Sequence, residues 1–167
     1  RRVGKYYTHL FASRAVYVKK FTKNKQAGDS ASIEASGEKP LLGKKVSEEL
    51  AIRENGMTFL VRPNDGQSIG LFLDQRDNRR RIRAIAKGKR VLNAFAYTCG
   101  FSVAAAMGKA KEIVSVDIST KSLEWGKRNF AANNLDIEGH FFLRTSVSDY
   151  LPRAQRQQRT FDVIIID

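Results

Sequence analysis

Residues 90–117 read RVLNAFAYTCGFSVAAAMGKAKEIVSVD. Arg90–Phe95 is an apolar run of strand length, and Ser102–Met107 is a helix of small residues. Glu112–Val116 is a second strand that closes on Asp117. The alternation continues downstream. Ser119 or Thr120 is a suitable N-cap for a helix over 121–134. His140–Leu143 is a third strand. Val147–Gln155 is a helix, with an interruption expected near Pro152. Phe161–Ile166 is a fourth strand ending at Asp167. This βαβαβαβ order predicts an α/β fold with a doubly wound parallel sheet.

Ligands of such sheets bind outside the carboxyl ends of the strands. Three candidates fall there. The loop Tyr97-Thr98-Cys99-Gly100-Phe101-Ser102 joins the first strand to the first helix. Gly100 allows a close backbone approach, and the helix start offers free N–H donors. Asp117 ends the second strand, where a carboxylate can accept both hydroxyls of a ribose. Asp167 ends the fourth strand. The loop lacks G-x-G-x-x-G, since its glycines are Gly100 and then Gly108. That counts against a pyrophosphate-binding turn, and so against NAD or FAD. A nucleoside cofactor without phosphates needs only the ribose acid and one close approach. S-adenosylmethionine (SAM) has that form, and a nicotinamide-dependent oxidoreductase is the rival reading.

Upstream the pattern is different. Residues 14–25 (RAVYVKKFTKNK) read as a short strand with a basic face. Residues 26–45 are rich in Gly, Ser and Ala with little periodicity, as in a mobile loop. Two apolar-alternating runs within 50–63 flank Asn55-Gly56, a type I′ hairpin signal because both turn positions need positive φ. Asn64-Asp65-Gly66 marks a further turn. The expected organisation is a small β appendage over 1–70, followed by the main domain over 71–167.

The 167 residues carry 30 Lys and Arg against 17 Asp and Glu, a net charge of +13. Residues 1–50 hold 11 basic and 5 acidic side chains, residues 51–100 hold 10 and 4, and residues 101–167 hold 9 and 8. A basic front on a near-neutral domain points to a polyanion, RNA or DNA first. The densest stretch, 76–90, has eight basic side chains against Asp77. At helical spacing Arg76, Arg80, Arg83 and Lys87 share one face, with Asn78, Ile82, Ile85 and Ala86 opposite. Arg79, Arg80, Arg83 and Lys87 are the RNA-binding candidates, and the plainer alternative is a basic face in water. With 42% hydrophobic residues the chain is neither disordered nor collagen-like. No apolar run has the roughly 18–20 residues of a membrane helix. A lone cysteine fits a reducing, cytoplasmic compartment. Two histidines and that cysteine give no metal-site spacing.

Three blocks carry a family resemblance: ENGMTFLVRPNDGQSIGLFLDQRDNRR (54–80), VLNAFAYTCGFSVAAA (91–106) and FDVIIID (161–167). They resemble the class I SAM-dependent methyltransferases, Rossmann-like enzymes that modify large-subunit ribosomal RNA. The Glu-Asn-Gly hairpin and the Phe72–Arg76 run are similar to the cytosine-5 branch. SLEWGKRNFAANNL (122–135) is similar to the guanine-N7 branch. The resemblance implies SAM as cofactor and ribosomal RNA as partner. It implies a cofactor loop over Asn93–Ser102, including Phe95, Tyr97, Thr98, Gly100, Phe101 and Ser102. It puts the ribose acid at Asp117, followed by Ile118 and Ser119, and the Gln75-Arg76 pair at the edge of the cofactor cleft. The motif beside the target base would begin at Asp167, the catalytic candidate. The expected domain is therefore truncated after its fourth strand, from a chain that starts Arg1-Arg2 without a signal segment. Two positions depart from the family. Cys99 stands where it usually has Gly, and Ser146 stands where an acid usually lies near the adenine, with Asp149 three residues on.

A base nitrogen such as guanine N7 attacks a methyl sulfonium directly, whereas cytosine C5 needs a thiolate to add to the ring first. Cys99 lies in the cofactor loop and reads better as a small loop-filling residue than as that nucleophile. Trp125, the Phe141-Phe142 pair, the Tyr6-Tyr7 pair and His140 read as packing or satisfied polar residues. A non-catalytic RNA-binding module on the same fold is the reading furthest from an enzyme.

Overall fold

In the computed structural model, residues 2–18, 20–23, 31–34, 40–63 and 68–167 are described. They form two compact units, one of residues 1–50 with 61–69 and one of residues 51–60 with 70–167. The hairpin residues 51–60 therefore group with the second unit.

The first unit opens with helix α1 (Arg2–Phe11), an element the sequence reading did not anticipate. Tyr6 and Tyr7, expected in a core or hairpin, lie on this helix and are exposed. Strand β1 (Ala15–Val16) pairs antiparallel with β4 (Leu42–Gly43), and β2 (Lys20–Lys23) with β3 (Ala31–Glu34). The expected loop over 26–45 thus contains two short strands, β3 and β4. Residues 26–30 and 35–39 of that loop, and the Asn64-Asp65-Gly66 turn, lie outside the described residues.

In the second unit β5 (Leu50–Glu54) and β6 (Met57–Val61) form the expected hairpin. Asn55 and Gly56 have φ of +50° and +77°, as a type I′ turn requires. A short 3-10 turn (Leu73–Gln75) leads into α2 (Arg76–Ile85). Then come β7 (Arg90–Ala94), α3 (Gly100–Met107), β8 (Glu112–Asp117), α4 (Thr120–Ala131), β9 (His140–Arg144), α5 (Val147–Arg156) and β10 (Val163–Ile166). The helix at α5 runs on through Pro152, where an interruption was expected.

The four strands are all parallel, in the order β10-β7-β8-β9. Strand side chains alternate between faces. Leu92, Val114 and Val116 meet Tyr150 and Ala154 of α5 in one buried cluster. Val91, Asn93, Ile113 and Ser115 lie in register on the other face, and all four are buried. The chain moves outward from β7 to β8 to β9, then returns so that β10 sits on the far side of β7. The order reverses between β7 and β10, and the cleft at their carboxyl ends is where such sheets bind ligands.

Helix α4 secures the hairpin to this sheet. The edge of β6 exposes backbone groups at Thr58 and Leu60, and side chains of α4 and the turn after it satisfy them. Asn133 Oδ1 accepts from Thr58 N at 2.7 Å, and its Nδ2 donates to Thr58 O at 2.7 Å. Asn129 Oδ1 accepts from Leu60 N at 2.9 Å, and Trp125 Nε1 donates to Leu60 O at 2.9 Å. The three residues stand four apart, so they share one helix face. Trp125 is buried core, as expected.

Candidate active site

A cavity of about 310 Å³ opens at the β7/β10 switch. Of the candidates, Gln75, Arg79, Asn93, Phe95, Tyr97, Thr98, Gly100, Phe101 and Asp167 line it. Leu71, Phe72, Asp74 and Ala96 line it too, though none was singled out in the sequence. Phe72 and Asp74 flank Leu73 in the block already noted, where only Gln75-Arg76 drew attention. Phe72 lies 5.7 Å from the Tyr97 ring, centroid to centroid.

Asn93 is the buried polar residue of this site. Its Nδ2 donates to Ser102 Oγ at 2.8 Å, and Ser102 Oγ lies 2.8 Å from Ser115 Oγ. This ladder fixes the amide, and Asn93 Oδ1 is left buried without a partner among the described residues. A buried carbonyl oxygen with no donor costs free energy unless something fills the role.

Asp117 ends β8, as read from the sequence. Its Oδ2 accepts from Tyr97 N at 2.8 Å and its Oδ1 from Ser119 N at 2.8 Å. Each carboxylate oxygen has further lone pairs, so the group is oriented and still able to accept. Asp117 is thereby tied to the loop that lines the cavity, although it is not itself in the lining. Ile118 follows with its side chain 71% exposed. Ser119 is spent as the N-cap of α4, accepting from Ser122 N. Ser146 caps α5 in the same way, accepting from Asp149 N and lying 2.6 Å from Asp149 Oδ2. At the far wall Gln75 Nε2 donates to Asp167 Oδ1 at 3.2 Å.

The loop between β7 and α3 holds three non-glycine residues in the left-handed region: Phe95 (φ +57°), Tyr97 (φ +47°) and Cys99 (φ +61°). Such residues cost about 1–3 kcal/mol each and concentrate at functional sites. Cys99 takes the left-handed backbone that glycine adopts without strain, and glycine is usual there in the family the sequence resembles. Space at Gly100 is tight, since a Cβ would lie 3.3 Å from Leu71 Cδ1, a side-chain end that would have to give slightly. The loop is braced from behind. Asn129 Nδ2 donates to Thr98 O at 2.9 Å, and Thr98 Oγ1 to Gly70 O at 2.6 Å. Cys99 is fully buried, and burial pushes its thiol up to about 12. It packs on Gly126 of α4, where an added Cβ would lie 2.4 Å from its Sγ.

Arg79 corrects the reading of the basic stretch. It is one of the least exposed side chains in the structure, not a surface cation. Its Nε and Nη2 donate to the two oxygens of Glu54 at 2.7 and 2.6 Å, and Nη1 donates to Phe72 O at 2.8 Å. The buried stripe of α2 runs through Arg79 and Ala86, with Ile82 and Arg83 half-buried. Arg83 Nη1 donates to Asn55 O at 2.8 Å, and Arg76 Nη2 reaches Asn55 Oδ1 at 3.5 Å. Arg76 therefore serves the hairpin and does not line the cavity. Arg80, Arg81 and Lys87 are exposed. Among the described residues no group of His, Cys, Asp and Glu could hold a metal, and no helix is long and apolar enough to cross a membrane.

A family model described as S-adenosylmethionine-dependent methyltransferase matches residues 13–167. A ribosomal RNA large subunit methyltransferase of Deinococcus radiodurans is 36% identical over 161 residues, covering 95% of this chain and 39% of that protein. Ribosomal RNA large subunit methyltransferase I of Cronobacter sakazakii is 42% identical over 128 residues, covering 77% of this chain and 32% of the other. The chain thus spans well under half the length of these relatives. Two solved structures share 44% identity over 77% of the chain at a TM-score of 0.74. One is described as a SAM-dependent methyltransferase from Streptococcus mutans, and this chain covers 35% of it. The other, SMU.776, is described as a methyltransferase complexed with SAH, and 34% of it is covered.

Proposed function

Because this chain belongs to the S-adenosylmethionine-dependent methyltransferase family, we propose that it is the SAM-binding part of an enzyme that methylates a base of large-subunit ribosomal RNA in the cytoplasm. The observation that carries the reading is the pairing of an unpartnered buried acceptor, Asn93 Oδ1, with an oriented carboxylate, Asp117, on either side of one strained loop. These are the groups a nucleoside with an amino-acid tail needs. SAM, when bound, supplies a methyl group on a sulfonium, which leaves readily in a direct displacement.

Each residue then has a task. Asp117 accepts the ribose hydroxyls, beside the exposed Ile118. Asn93 accepts from the ammonium of the methionine part. The loop of Phe95, Tyr97, Thr98, Gly100 and Phe101 gives the cofactor a preformed wall, buried Ser102 holds Asn93 from behind, and Gln75 orients Asp167 toward the target base. Ser146 and Asp149, at the end of β9, offer an acceptor pair for the adenine amine. Preformed geometry of this kind carries much of a displacement reaction. The binding part comprises residues 71–167 with the 51–60 hairpin docked on α4, and residues 1–50 belong to the appendage. Exposed Arg80 and Lys87, with half-buried Arg83, contact RNA phosphates, and Arg79 leaves that set.

Cytosine C5 and guanine N7 are the two candidate targets. Cys99 is the only cysteine of the sequence. A buried thiol raised to about 12 does not attack a base. A C5 product therefore draws its thiolate from residues other than these, and an N7 product needs none. The test is methylation of ribosomal RNA by the whole protein with SAM, followed by nucleoside analysis. Methylcytidine or methylguanosine is the expected product. SAM bound without any methylated nucleoside would favour a non-catalytic RNA-binding module.

A further inference from the structure

We infer that the depression between α2, the Asn55 turn and the end of α3 is a seat for a phosphate of the RNA backbone. This rests on the RNA reading above and adds a site to it. The depression has a volume of about 480 Å³, and Asn55, Arg80, Arg83 and Lys109 are in its wall. No acidic side chain lines it, and it shares no residue with the cofactor cavity.

Four observations point to an anion. Arg83 is half-buried and held by its bond to Asn55 O, so one of its five N–H groups is used and its plane is set. Arg80 stands one turn before it and is 68% exposed. Among the described residues its acid contact is Asp77, 3.6 Å away and similarly exposed, a pair worth little in water. Lys109 adds a third cation where the chain leaves α3, at a φ of +61°. Asn55 is in the same wall, and its Nδ2 is buried and donates to nothing among the described residues. Cations that line one wall repel each other, and an anion relieves them. The turn explains why position 55 is Asn, since it tolerates positive φ. It does not explain a donor left unused beside two guanidinium groups.

The site is shallow and lies in the strongly basic part of the sequence. A shallow basic depression suits one phosphate of a polymer that continues across the surface, better than a small anion needing enclosure.

The test compares two charge-matched double variants of this chain. R80Q/K109Q removes two cations from the seat, and R153Q/R156Q removes two exposed cations from α5. Binding of a labelled single-stranded RNA is followed against salt. The slope of log K on log salt should fall by about 1.4 for R80Q/K109Q, two contacts at ~0.7 each, and stay near the wild-type value for R153Q/R156Q. Equal changes in both pairs, or no change in R80Q/K109Q, overturn the seat. The Asn55 side-chain amide resonances should shift with a phosphodiester dinucleotide. A shift with inorganic phosphate alone overturns the assignment to a backbone phosphate. A wild-type chain that binds no RNA overturns the seat and the RNA reading together. SAM affinity, measured separately, tests the cofactor reading whatever the RNA result.

Discussion

Arg79→Ala and Arg80→Ala remove the same charge from adjacent positions, yet the structure predicts very different costs. The Arg79 side chain is 2% exposed and its partner Glu54 is 7% exposed. Alanine at 79 strands a buried carboxylate and frees the carbonyl of Phe72. Breaking one side of a buried ion pair costs about 3–5 kcal/mol. That is a large part of the ~5–15 kcal/mol that holds a domain together. Arg80→Ala removes a solvated side chain and should stay within about 0.5 kcal/mol of wild type. Urea unfolding followed by fluorescence of Trp125, the single tryptophan, reads both. With a urea slope of about 1–3 kcal/mol per molar, the Arg79→Ala midpoint should fall by roughly 1–5 M. If Arg79→Ala does not fold, Glu54→Met with Arg79→Met is the second readout. Removing both charges leaves none stranded and should restore most of the stability. Equal midpoints for Arg79→Ala and Arg80→Ala would refute the buried pair.

Three further outcomes follow from the site. Native Cys99 should resist maleimide at neutral pH and react on unfolding, because its thiol is buried and raised to about 12; rapid native labelling would reopen a nucleophilic role. Gly126→Ala should cost about 1–3 kcal/mol by driving a methyl into Cys99. Adding Cys99→Gly should recover much of that loss in a thermal melt, since glycine suits φ +61° and removes the clash. Burial lowers the pKa of His140 from 6.5, so the unfolded chain takes up a proton there more readily than the folded one. Its contribution is constant above pH ~7 and falls as the pH drops through 6.5. His140→Gln should flatten the acid-side loss of stability between about pH 7 and 5, and an unchanged profile would contradict this.

The strand–helix alternation after residue 90 was legible because buried parallel strands and their carboxyl-end residues leave a strong local pattern. Asp117, Asp167 and the loop between them in the sheet followed from that pattern. Arg79 was misread because a charged residue at a surface-like spacing carries no local sign of a partner 25 positions earlier. Arg79 read as an RNA-binding cation and Glu54 as part of the hairpin motif until the fold joins them. The unpaired Asn93 Oδ1 was equally hidden, since it depends on Ser102 taking the other end of the amide. The left-handed backbone at Cys99 was not read at all, since a cysteine carries no local sign of positive φ. The strand read over 14–25 is two short strands, β1 and β2, and β4 was missed because two residues hold no periodicity. Helix α1 lies in a stretch for which no pattern was read at all.

The central claim is that SAM binds at the β7/β10 switch with its ribose on Asp117. Titration calorimetry of SAM and of NADH into wild type and Asp117→Ala tests it most directly. SAM should bind to wild type and NADH should not. Loss of hydrogen bonds to a charged acceptor at ~1.5–3 kcal/mol each should weaken SAM at least tenfold in Asp117→Ala. Binding of NADH in place of SAM, or unchanged SAM affinity in the variant, would contradict the account.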